Sequence, residues 1–311
     1  MNNIICIAGP TASGKTALAV ELAKSFNGEV ISCDSMQVYR RMDIGTAKPS
    51  IAEMQGIPHH MIDVAEPDED FSVSRYCAMA TPILDDILTR GKTAIIAGGT
   101  GLYMDSLIRG NDFAPYPATG ARERLEAQAD EMGMEYMLEK LRHIDPDSAA
   151  RLHLADRKRI IRALEVFEET GETITAHNKR TQAIPARYSP LWLGLDFEPR
   201  QALYDRIDLR VSMMLEQGLE NEIRTLLASG IPAKCTAMQA IGYKEFVAAL
   251  EGTIPIEEAA DEVRKSSRHY AKRQLTWFRR NCKMNWLVRT SDDGFEEILQ
   301  SARQLITQSD I

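Results

Sequence analysis

Cysteine is scarce in this chain of 311 residues, and its few copies are scattered along it. No C-x-x-C pair occurs among Cys6, Cys33, Cys77, Cys235 and Cys282, which argues against a zinc knuckle and against a disulfide framework. No apolar run approaches the ~20 residues that a helix needs to span a bilayer, so we expect no membrane contact. The first residues lead directly into a predicted strand, which indicates a cytoplasmic protein without a secretory signal.

Positive charge is in deficit overall, since the formal net charge is −8, and this argues against a nucleic-acid partner. The distribution of charge argues the other way. Residues 264–283 contain eight Lys or Arg and no acid, with Tyr270, Trp277 and Phe278 between them, and a second basic run lies at 157–162. Local patches govern polyanion binding, so these runs fit a nucleic-acid surface or, equally, solvated helix faces.

Residues 9–16 match the phosphate-binding pattern G-x-x-x-x-G-K-[ST] in full. An apolar run at 4–8 precedes them and a helical pattern follows, so backbone amides and a helix amino end face one anion. The predicted contacts to a diphosphate or nucleotide are Gly9, Pro10, Thr11, Ala12, Ser13, Gly14, Lys15 and Thr16. Lys15 adds a point charge and Thr16 offers a hydroxyl to a Mg²⁺ ion, but the loop does not identify the ligand as ATP.

Short apolar runs alternate with helical patterns, which predicts an α/β fold, a doubly wound parallel sheet of the P-loop NTPase type. Predicted strands lie at 4–8, 29–33, 94–97, 191–196 and 285–288, and predicted helical stretches at 76–90, 199–229 and 256–280. Pro-rich breaks at 112–117 and 184–190 bracket a polar, helix-favouring stretch. We therefore predict a core domain of residues 1–112 plus 191–311 and a helical insertion domain of residues 113–190.

The end of the second strand carries candidate chemistry. Asp34 at this strand end is placed to take a proton, to bind Mg²⁺ or to cap the next turn. Gln37 is able to pair with an adenine edge, and Tyr39 is able to stack on a base. The strand at 94–97, where the acid that usually holds Mg²⁺ in a nucleotide hydrolase would lie, ends in Gly98-Gly99-Thr100 instead, and Asp85 and Asp86 follow a helical period typical of surface acids.

Three further features have alternative interpretations. His59 and His60 with Asp63 superficially resemble a metal site, but adjacent residues of a strand point to opposite faces, so packing or hydrogen bonding is expected. The apolar residues Met213, Met214, Leu215 and Leu219 are expected in the core rather than in a lipid pocket. Trp277 fits base stacking and helix anchoring equally.

In order along the chain, several short runs resemble the tRNA dimethylallyltransferase family. They are GPTASGKT at 9–16, DSMQVY at 34–39, GTAKP at 45–49, PHH at 58–60 with Asp63, GGTGLY at 98–103, RALE at 162–165, IGY at 241–243 and KRQLTWFR at 272–279. The phosphate loop alone is common to many enzymes, whereas the series is specific. The sequence resembles the compact bacterial form, because the C-terminal zinc finger of eukaryotic members is absent.

This resemblance implies transfer of a dimethylallyl group from its diphosphate to the exocyclic amine of the adenosine just 3′ of a tRNA anticodon, with Mg²⁺. Asp34 would remove the proton of the amine, and Thr100 and Arg210, with Arg206, would contact the leaving diphosphate. Thr16 would be the metal ligand. The expected tRNA contacts are Asp34, Ser35, Met36, Gln37, Lys158, Arg159, Ile160, Ile161, Arg162, Gly242, Tyr243, Lys272, Arg273, Gln274, Trp277 and Arg279.

The expected partners are therefore the tRNA anticodon stem-loop and dimethylallyl diphosphate, and a monomer is expected. The resemblance also implies that the insertion domain grips the anticodon side of the tRNA. Two other functions compete with this interpretation: a small-molecule kinase that uses ATP, and a non-catalytic RNA-binding module with a relic nucleotide loop.

Overall fold

A six-stranded, all-parallel sheet forms the centre of the fold in the computed structural model, which describes residues 3–111, 119–290 and 294–309. The strands are β1 (Ile4–Ala8), β2 (Gly28–Ser32), β3 (His59–His60), β4 (Thr93–Gly98), β5 (Leu191–Phe197) and β6 (Met284–Arg289). Their order in the sheet is β3-β2-β4-β1-β5-β6. The predicted doubly wound parallel sheet is confirmed, and the chain does return to it after the insertion, since β5 pairs with β1.

The other regular elements of the described chain are mainly α-helices. They are α1 (Lys15–Ser25), α2 (Ile51–Met54), α3 (Val73–Thr89), α4 (Gly101–Arg109), α5 (Ala121–Ile144), α6 (Pro146–Ala149), α7 (Arg157–Thr170), α8 (Ile174–Ala183), α9 (Arg200–Glu216), α10 (Leu219–Ala228), α11 (Tyr243–Leu250), α12 (Ile256–Phe278) and α13 (Phe295–Gln308). No helix in the described part of the chain has the length and apolar composition of a bilayer span.

The core explains why the strand sequences are continuous apolar runs. Every residue of β1 is buried, as a central strand covered on both faces requires. A cluster on one side of the sheet joins Ile5 and Ile7 to Leu18 and Leu22 of α1 and to residues of α13. The central strands are therefore fixed by burial, and their carboxyl ends lie together at one edge of the sheet.

Some elements differ from the sequence prediction. The stretch predicted as helical at 199–229 is two helices, because Gly218 adopts a φ of 97° between α9 and α10. The two-residue strand β3 and the helix α11 were not predicted. Of the apolar residues expected in the core, Leu219 is fully buried, but Met213 is 48 % exposed, so that expectation is wrong for Met213.

The chain divides into two compact units, residues 1–110 with 187–311, and residues 111–186. The first contains the sheet. The second is helical and has its own apolar cluster, in which Leu125, Met137, Leu141 and Leu164 are buried. The Pro-rich break predicted at 112–117 lies outside the described residues, and so does residue 113, where the predicted insertion begins.

A buried carboxylate near the amino end of β2 is held by an arginine, a lysine and a histidine. Glu29 accepts hydrogen bonds from Arg90, Lys92 and His60, with the Lys92 Nζ atom at 2.7 Å and the His60 Nε2 atom at 2.8 Å. The bonds from Arg90 do most to hold the pKa of Glu29 well below its usual range, with Lys92 and His60 adding to the effect against the opposing cost of burial. This network ties β2 to β3 and to the start of β4.

Glu29→Gln should therefore lower the free energy of unfolding at neutral pH by about 2 kcal/mol, since charged hydrogen bonds are lost from a buried group. The stabilisation by Glu29 is complete above the ordinary glutamate pKa of about 4.5 and is lost as the pH falls through the lowered pKa. Urea denaturation should thus show a difference in the free energy of unfolding between the parent and Glu29→Gln, and this difference should become smaller in acid. Glu139→Gln, at an exposed ion pair, should change stability by less than about 0.5 kcal/mol.

Candidate active site

The phosphate loop joins β1 to α1 and presents an uncapped helix end. Gly14, at the N-cap of α1, has a φ of 91°, a conformation that favours glycine, and no side chain caps the helix. The first turn of α1 contains no acid that would compete for an anion. The Ser13 hydroxyl is buried without a hydrogen-bond partner among the described residues. The loop thus offers unused donors at a positive helix end, as the sequence predicted.

Two positively charged side chains, Lys15 and Arg210, lie half-buried at this loop. The Lys15 Nζ atom donates to the Pro10 carbonyl oxygen at 2.6 Å, so the lysine folds back over the loop. Burial, with a smaller contribution from the neighbouring Arg210 guanidinium, lowers the pKa of Lys15 to about 7, and Asp34 opposes the shift. Burial also lowers the pKa of Arg210, against the pull of Asp34 and Glu53. Lys15 and Arg210 are half-buried and repel each other, which favours an anionic ligand beside them.

A second arginine of α9 holds the loop itself. The Arg206 Nε atom donates to the Ala12 carbonyl oxygen at 3.0 Å, and the guanidinium lies 5.6 Å from the centre of the Phe197 ring. Arg206 therefore positions the phosphate loop, while Arg210 supplies a half-buried positive charge near Lys15. The sequence prediction had given both arginines the same role.

Asp34 and Thr100 meet where β2 and β4 end. The Thr100 side-chain oxygen accepts a hydrogen bond from the Ser35 amide at 3.0 Å, and the Thr100 amide donates to the Cys33 carbonyl at 3.1 Å. One carboxylate oxygen of Asp34 accepts from the Met36 amide at 2.9 Å, which shows the capping contact that the sequence left open. Asp34 is only half-buried, and its charge acts on both Lys15 and Arg210.

Gln37 and Tyr39, proposed above as base contacts, are both engaged within the protein. The Gln37 amide accepts from the Ser32 hydroxyl at 2.9 Å and donates to the Ala47 carbonyl at 3.1 Å. Tyr39 is fully buried, with its ring edge-on to Phe71 at 6.4 Å, so the expected stacking on a base is wrong. Gln37 shapes the loop of residues 35–48 through these bonds.

Glu222 of α10 is a residue of this region that the sequence did not reveal. Its carboxylate accepts hydrogen bonds from the Asp43 and Ile44 amides at 2.9 Å and from the Tyr243 hydroxyl at 2.6 Å. Tyr243 is fully buried and Gly242 is buried beside it, so the tRNA contacts predicted for these two residues do not fit the structure. They support the loop of residues 35–48 instead.

The basic stretch of α12 separates into two faces. Lys272, Arg273 and Arg279 are exposed, which suits the predicted tRNA contacts. Gln274 is only 5 % exposed and bonds to two loops, so a tRNA contact through its amide is not compatible with its position. Trp277 anchors its helix, because its indole nitrogen donates to the Asp105 carboxylate at 2.9 Å. Tyr270 of the same helix lies close to the Thr100 side chain.

The second basic run lies on α7 in the helical unit. Lys158, Arg159 and Arg162 are exposed and line a cavity of about 570 Å³ together with Arg122 and Arg151. The two apolar residues within the run are buried in the cluster of that unit: Ile160 and Ile161. The tRNA contacts predicted for these isoleucines are therefore wrong, because a helix turns successive side chains to different faces.

No metal cluster is preformed in the described residues. No group of three or more His, Cys, Asp or Glu is placed there to hold an ion. His59 instead bonds through its Nδ1 atom to the Ile57 carbonyl at 2.8 Å, and His60 bonds to Glu29. The predicted hydrogen-bonding roles of the histidines are confirmed. Asp85 pairs with Arg187 and Asp86 with Arg90. Asp86 is exposed, as predicted, whereas Asp85 is half-buried and also accepts a hydrogen bond from the Tyr188 hydroxyl.

Binding of inorganic diphosphate should depend on pH through Lys15. Only the protonated amine attracts the anion, and the anion raises the pKa of Lys15 above its free value of about 7. Binding then takes up a proton, so affinity should weaken as the pH rises from about 7 to about 9, by up to tenfold per unit. Calorimetry in buffers of different ionisation enthalpy measures this uptake. In Lys15→Met the proton uptake by Lys15 should be absent, and the remaining pH dependence should come only from the titration of diphosphate itself.

Comparison with known proteins identifies relatives over almost the whole chain. The family model described as IPP transferase matches residues 37–281, and that described as isopentenyl transferase matches residues 2–68. A protein of Thermoanaerobacter sp. (strain X514) named tRNA dimethylallyltransferase is 48% identical over 95% of this chain and 94% of its own. One of the same name from Acetivibrio thermocellus is 44% identical over 97% of each chain.

Solved structures resemble this fold closely. The crystal structure of a full-length tRNA isopentenylpyrophosphate transferase from Bacillus halodurans has a TM-score of 0.75 and 42% identity, with 99% of this chain and 96% of that chain covered. A eukaryotic dimethylallyltransferase described as acting on tRNA has a TM-score of 0.84 and 30% identity, with 99% of this chain and 78% of that chain covered.

Proposed function

The chain belongs to the IPP transferase family, and on this premise we propose that it transfers a dimethylallyl group from its diphosphate to an adenosine amine of tRNA. It is a prenyltransferase, and tRNA is the substrate that the names of its relatives give. The finer assignment is the exocyclic amine of the adenosine just 3′ of the anticodon. One observation supports transfer from a diphosphate to a nitrogen that must lose a proton. The uncapped phosphate loop with Lys15 and Arg210 lies beside Asp34, so the site for the anion adjoins the proposed general base.

The proposed reaction forms one bond and breaks one. The adenine nitrogen attacks the allylic carbon, the carbon–oxygen bond breaks, and its electron pair leaves with the diphosphate. Lys15, Arg210 and the loop amides stabilise the negative charge that grows on the leaving group. The proton released from the amine passes to the carboxylate of Asp34. Thr100, between Ser35 and Tyr270, holds a hydroxyl at the same edge of the sheet.

The amine must leave the stacked anticodon loop to reach Asp34. Enzymes that modify a base extrude it into a pocket, and bases in single-stranded loops leave the stack at low cost. In our proposal the loop of residues 35–48 borders the extruded base, with Ser35 and Met36, both half-buried, nearest to Asp34. Gln37 stays bonded to Ser32 and Ala47 and fixes the shape of that loop.

Mg²⁺ fits the residues of the phosphate loop as an ion bound mainly through the substrate. Hard cations take oxygen ligands, and Mg²⁺ commonly combines one protein hydroxyl or carboxylate with phosphate oxygens and waters. The half-buried Thr16 hydroxyl, in the first turn of α1, and the partnerless Ser13 hydroxyl are the oxygens available there. When bound, the ion would neutralise charge on the diphosphate. We assign Thr16 as the protein ligand of this ion and Asp34 as the acceptor of the proton from the adenine amine.

The exposed cations of α7 and α12 are proposed to hold the tRNA backbone. Their charges carry no sequence information, but they neutralise phosphates and so make binding strongly dependent on salt. The cations of the helical unit line a concave surface, which suits a curved stem-loop. The acidic net charge of the whole chain does not oppose this, because the positive residues are segregated.

The affinity for tRNA should fall steeply as salt rises, and Lys158→Ala should reduce the slope of log affinity against log salt by about 0.7 to 0.9. Lys158 is exposed on the concave surface, so one phosphate contact is lost. Filter binding over a salt series measures the slope. Lys24→Ala, at the far end of α1 from the phosphate loop, is the matched control and should leave the slope unchanged. If the tRNA affinity of the parent protein does not change with salt, these cations do not bind the tRNA backbone.

Incubation with labelled dimethylallyl diphosphate and unmodified tRNA tests the proposed function directly. Label should enter the RNA without ATP. Phosphorylation of a small molecule that requires ATP would instead support a kinase, and tRNA binding without any transfer would support a non-catalytic module.

A further inference from the structure

We propose that Gln274 is a positioning residue that sets the distance between the phosphate loop and the Thr100 loop. The inference rests on the proposed function, in which both loops contact the leaving diphosphate. The Gln274 amide oxygen accepts a hydrogen bond from the Thr11 backbone amide at 2.9 Å. Its amide nitrogen donates to the Gly99 carbonyl oxygen at 3.0 Å. One side chain of α12 thus joins loops that follow two different strands.

Burial makes this contact specific for glutamine. Gln274 is only 5 % exposed, so each polar atom of its amide needs a partner within the protein. A glutamate offers the acceptor for Thr11 but no donor for Gly99 when it is ionised. A methionine of similar length offers neither, and an asparagine is one methylene shorter. The site therefore requires both halves of an amide at this reach.

The neighbouring backbone is shaped for the same contact. A Cβ atom on Gly99 would lie 2.0 Å from the Gln274 amide nitrogen, so only glycine allows this approach. Gly101 is constrained similarly, since its Cβ would lie 2.2 Å from the Trp277 ring. Thr100, between these two glycines, also lies close to Tyr270. Three side chains on one face of α12 therefore fix the segment that carries Thr100.

Gln274 differs from those neighbours because it alone of the three also reaches the phosphate loop. Arg206 holds the carbonyl of Ala12 in that loop, whereas Gln274 holds the amide of Thr11 one residue earlier. Without Gln274, Arg206 still holds the phosphate loop, but the distance between that loop and Thr100 is no longer fixed by a shared side chain. Displacement of catalytic groups by about 1 Å is able to cost about 100-fold in rate, so a small relaxation is enough.

The test compares Gln274→Glu and Gln274→Met with Thr276→Ala, an exposed control on the same helix. We expect both Gln274 variants to lower kcat by about 10- to 100-fold and to raise KM for dimethylallyl diphosphate, with tRNA affinity within about twofold of the parent. The kcat of Gln274→Glu, relative to that of the parent, should rise as the pH falls, because the protonated acid donates a hydrogen bond to the Gly99 carbonyl oxygen. The methionine variant should show no such recovery.

Calorimetry with inorganic diphosphate keeps the proposal testable if the transfer assay fails for the parent protein. Both variants should then bind diphosphate about tenfold more weakly than Thr276→Ala does. Thermal unfolding identifies any variant that fails to fold. If Gln274→Met does not fold, the result for the more conservative Gln274→Glu decides whether the proposal holds. Parent-like kcat and diphosphate affinity in folded variants, or a loss confined to tRNA affinity, would overturn the assignment. Absence of transfer by the parent would overturn the proposed function alone.

Discussion

Asp34→Asn should lower the rate of transfer by about 1,000-fold while both substrates still bind, because general-base catalysis contributes about 100- to 10,000-fold. Asparagine keeps the size of the side chain and the acceptor for the Met36 amide. It cannot take the proton of the adenine amine. Single-turnover rates at saturating tRNA and dimethylallyl diphosphate report the chemical step apart from binding.

The control for Asp34 is an acid that the structure places on the surface. Asp86→Asn loses only an exposed pair with Arg90 and should stay within about twofold of the parent. Affinity for tRNA, measured separately, should be nearly unchanged in Asp34→Asn. A variant that transfers the group within about tenfold of the parental rate would show that another group removes the proton.

Lys15→Met should lower kcat/KM for dimethylallyl diphosphate by about 100- to 1,000-fold without making the protein less stable. The loss of activity follows from removal of a positive charge at the leaving group. Stability is spared because burial disfavours the charged amine, as the lowered pKa of Lys15 shows, and an apolar side chain of similar length avoids that penalty. Steady-state kinetics and thermal unfolding, measured on the same samples, separate the two effects.

Lys24→Met provides the matched control, since Lys24 lies on the same helix at the opposite end and pairs with Glu21. Its kinetics should equal those of the parent. Loss of activity by Lys15→Met in proportion to a loss of folded protein would mean that Lys15 supports the loop rather than the diphosphate.

Local patterns in the sequence were sufficient for five of the six strands of the sheet and for the phosphate loop. Buried parallel strands are continuous apolar runs, and the glycines and Lys15 of the loop are neighbours in the chain. The position of Asp34 at a strand end followed from the same patterns. These features depend on contacts within a few residues or on burial of a whole strand, which sequence periodicity records.

The errors concern residues whose role depends on distant partners. Glu222 meets the loop near residue 44, and Gln274 meets Thr11 and Gly99, across most of the chain. Nothing near these residues in sequence indicates such contacts. The resemblance to a family located segments but not faces, so Ile160 and Ile161 were assigned with the cations beside them. A helical projection of α7 and α12 would have separated the buried side chains from the exposed ones.

Nucleoside analysis of a tRNA transcript after reaction with dimethylallyl diphosphate tests the central claim most directly. We expect one dimethylallyl group on the exocyclic amine of the adenosine just 3′ of the anticodon, with one diphosphate released for each group transferred and no requirement for ATP. A transcript with guanosine at that position should stay unmodified. Modification at a different base or atom, or none in the presence of Mg²⁺, would contradict the account.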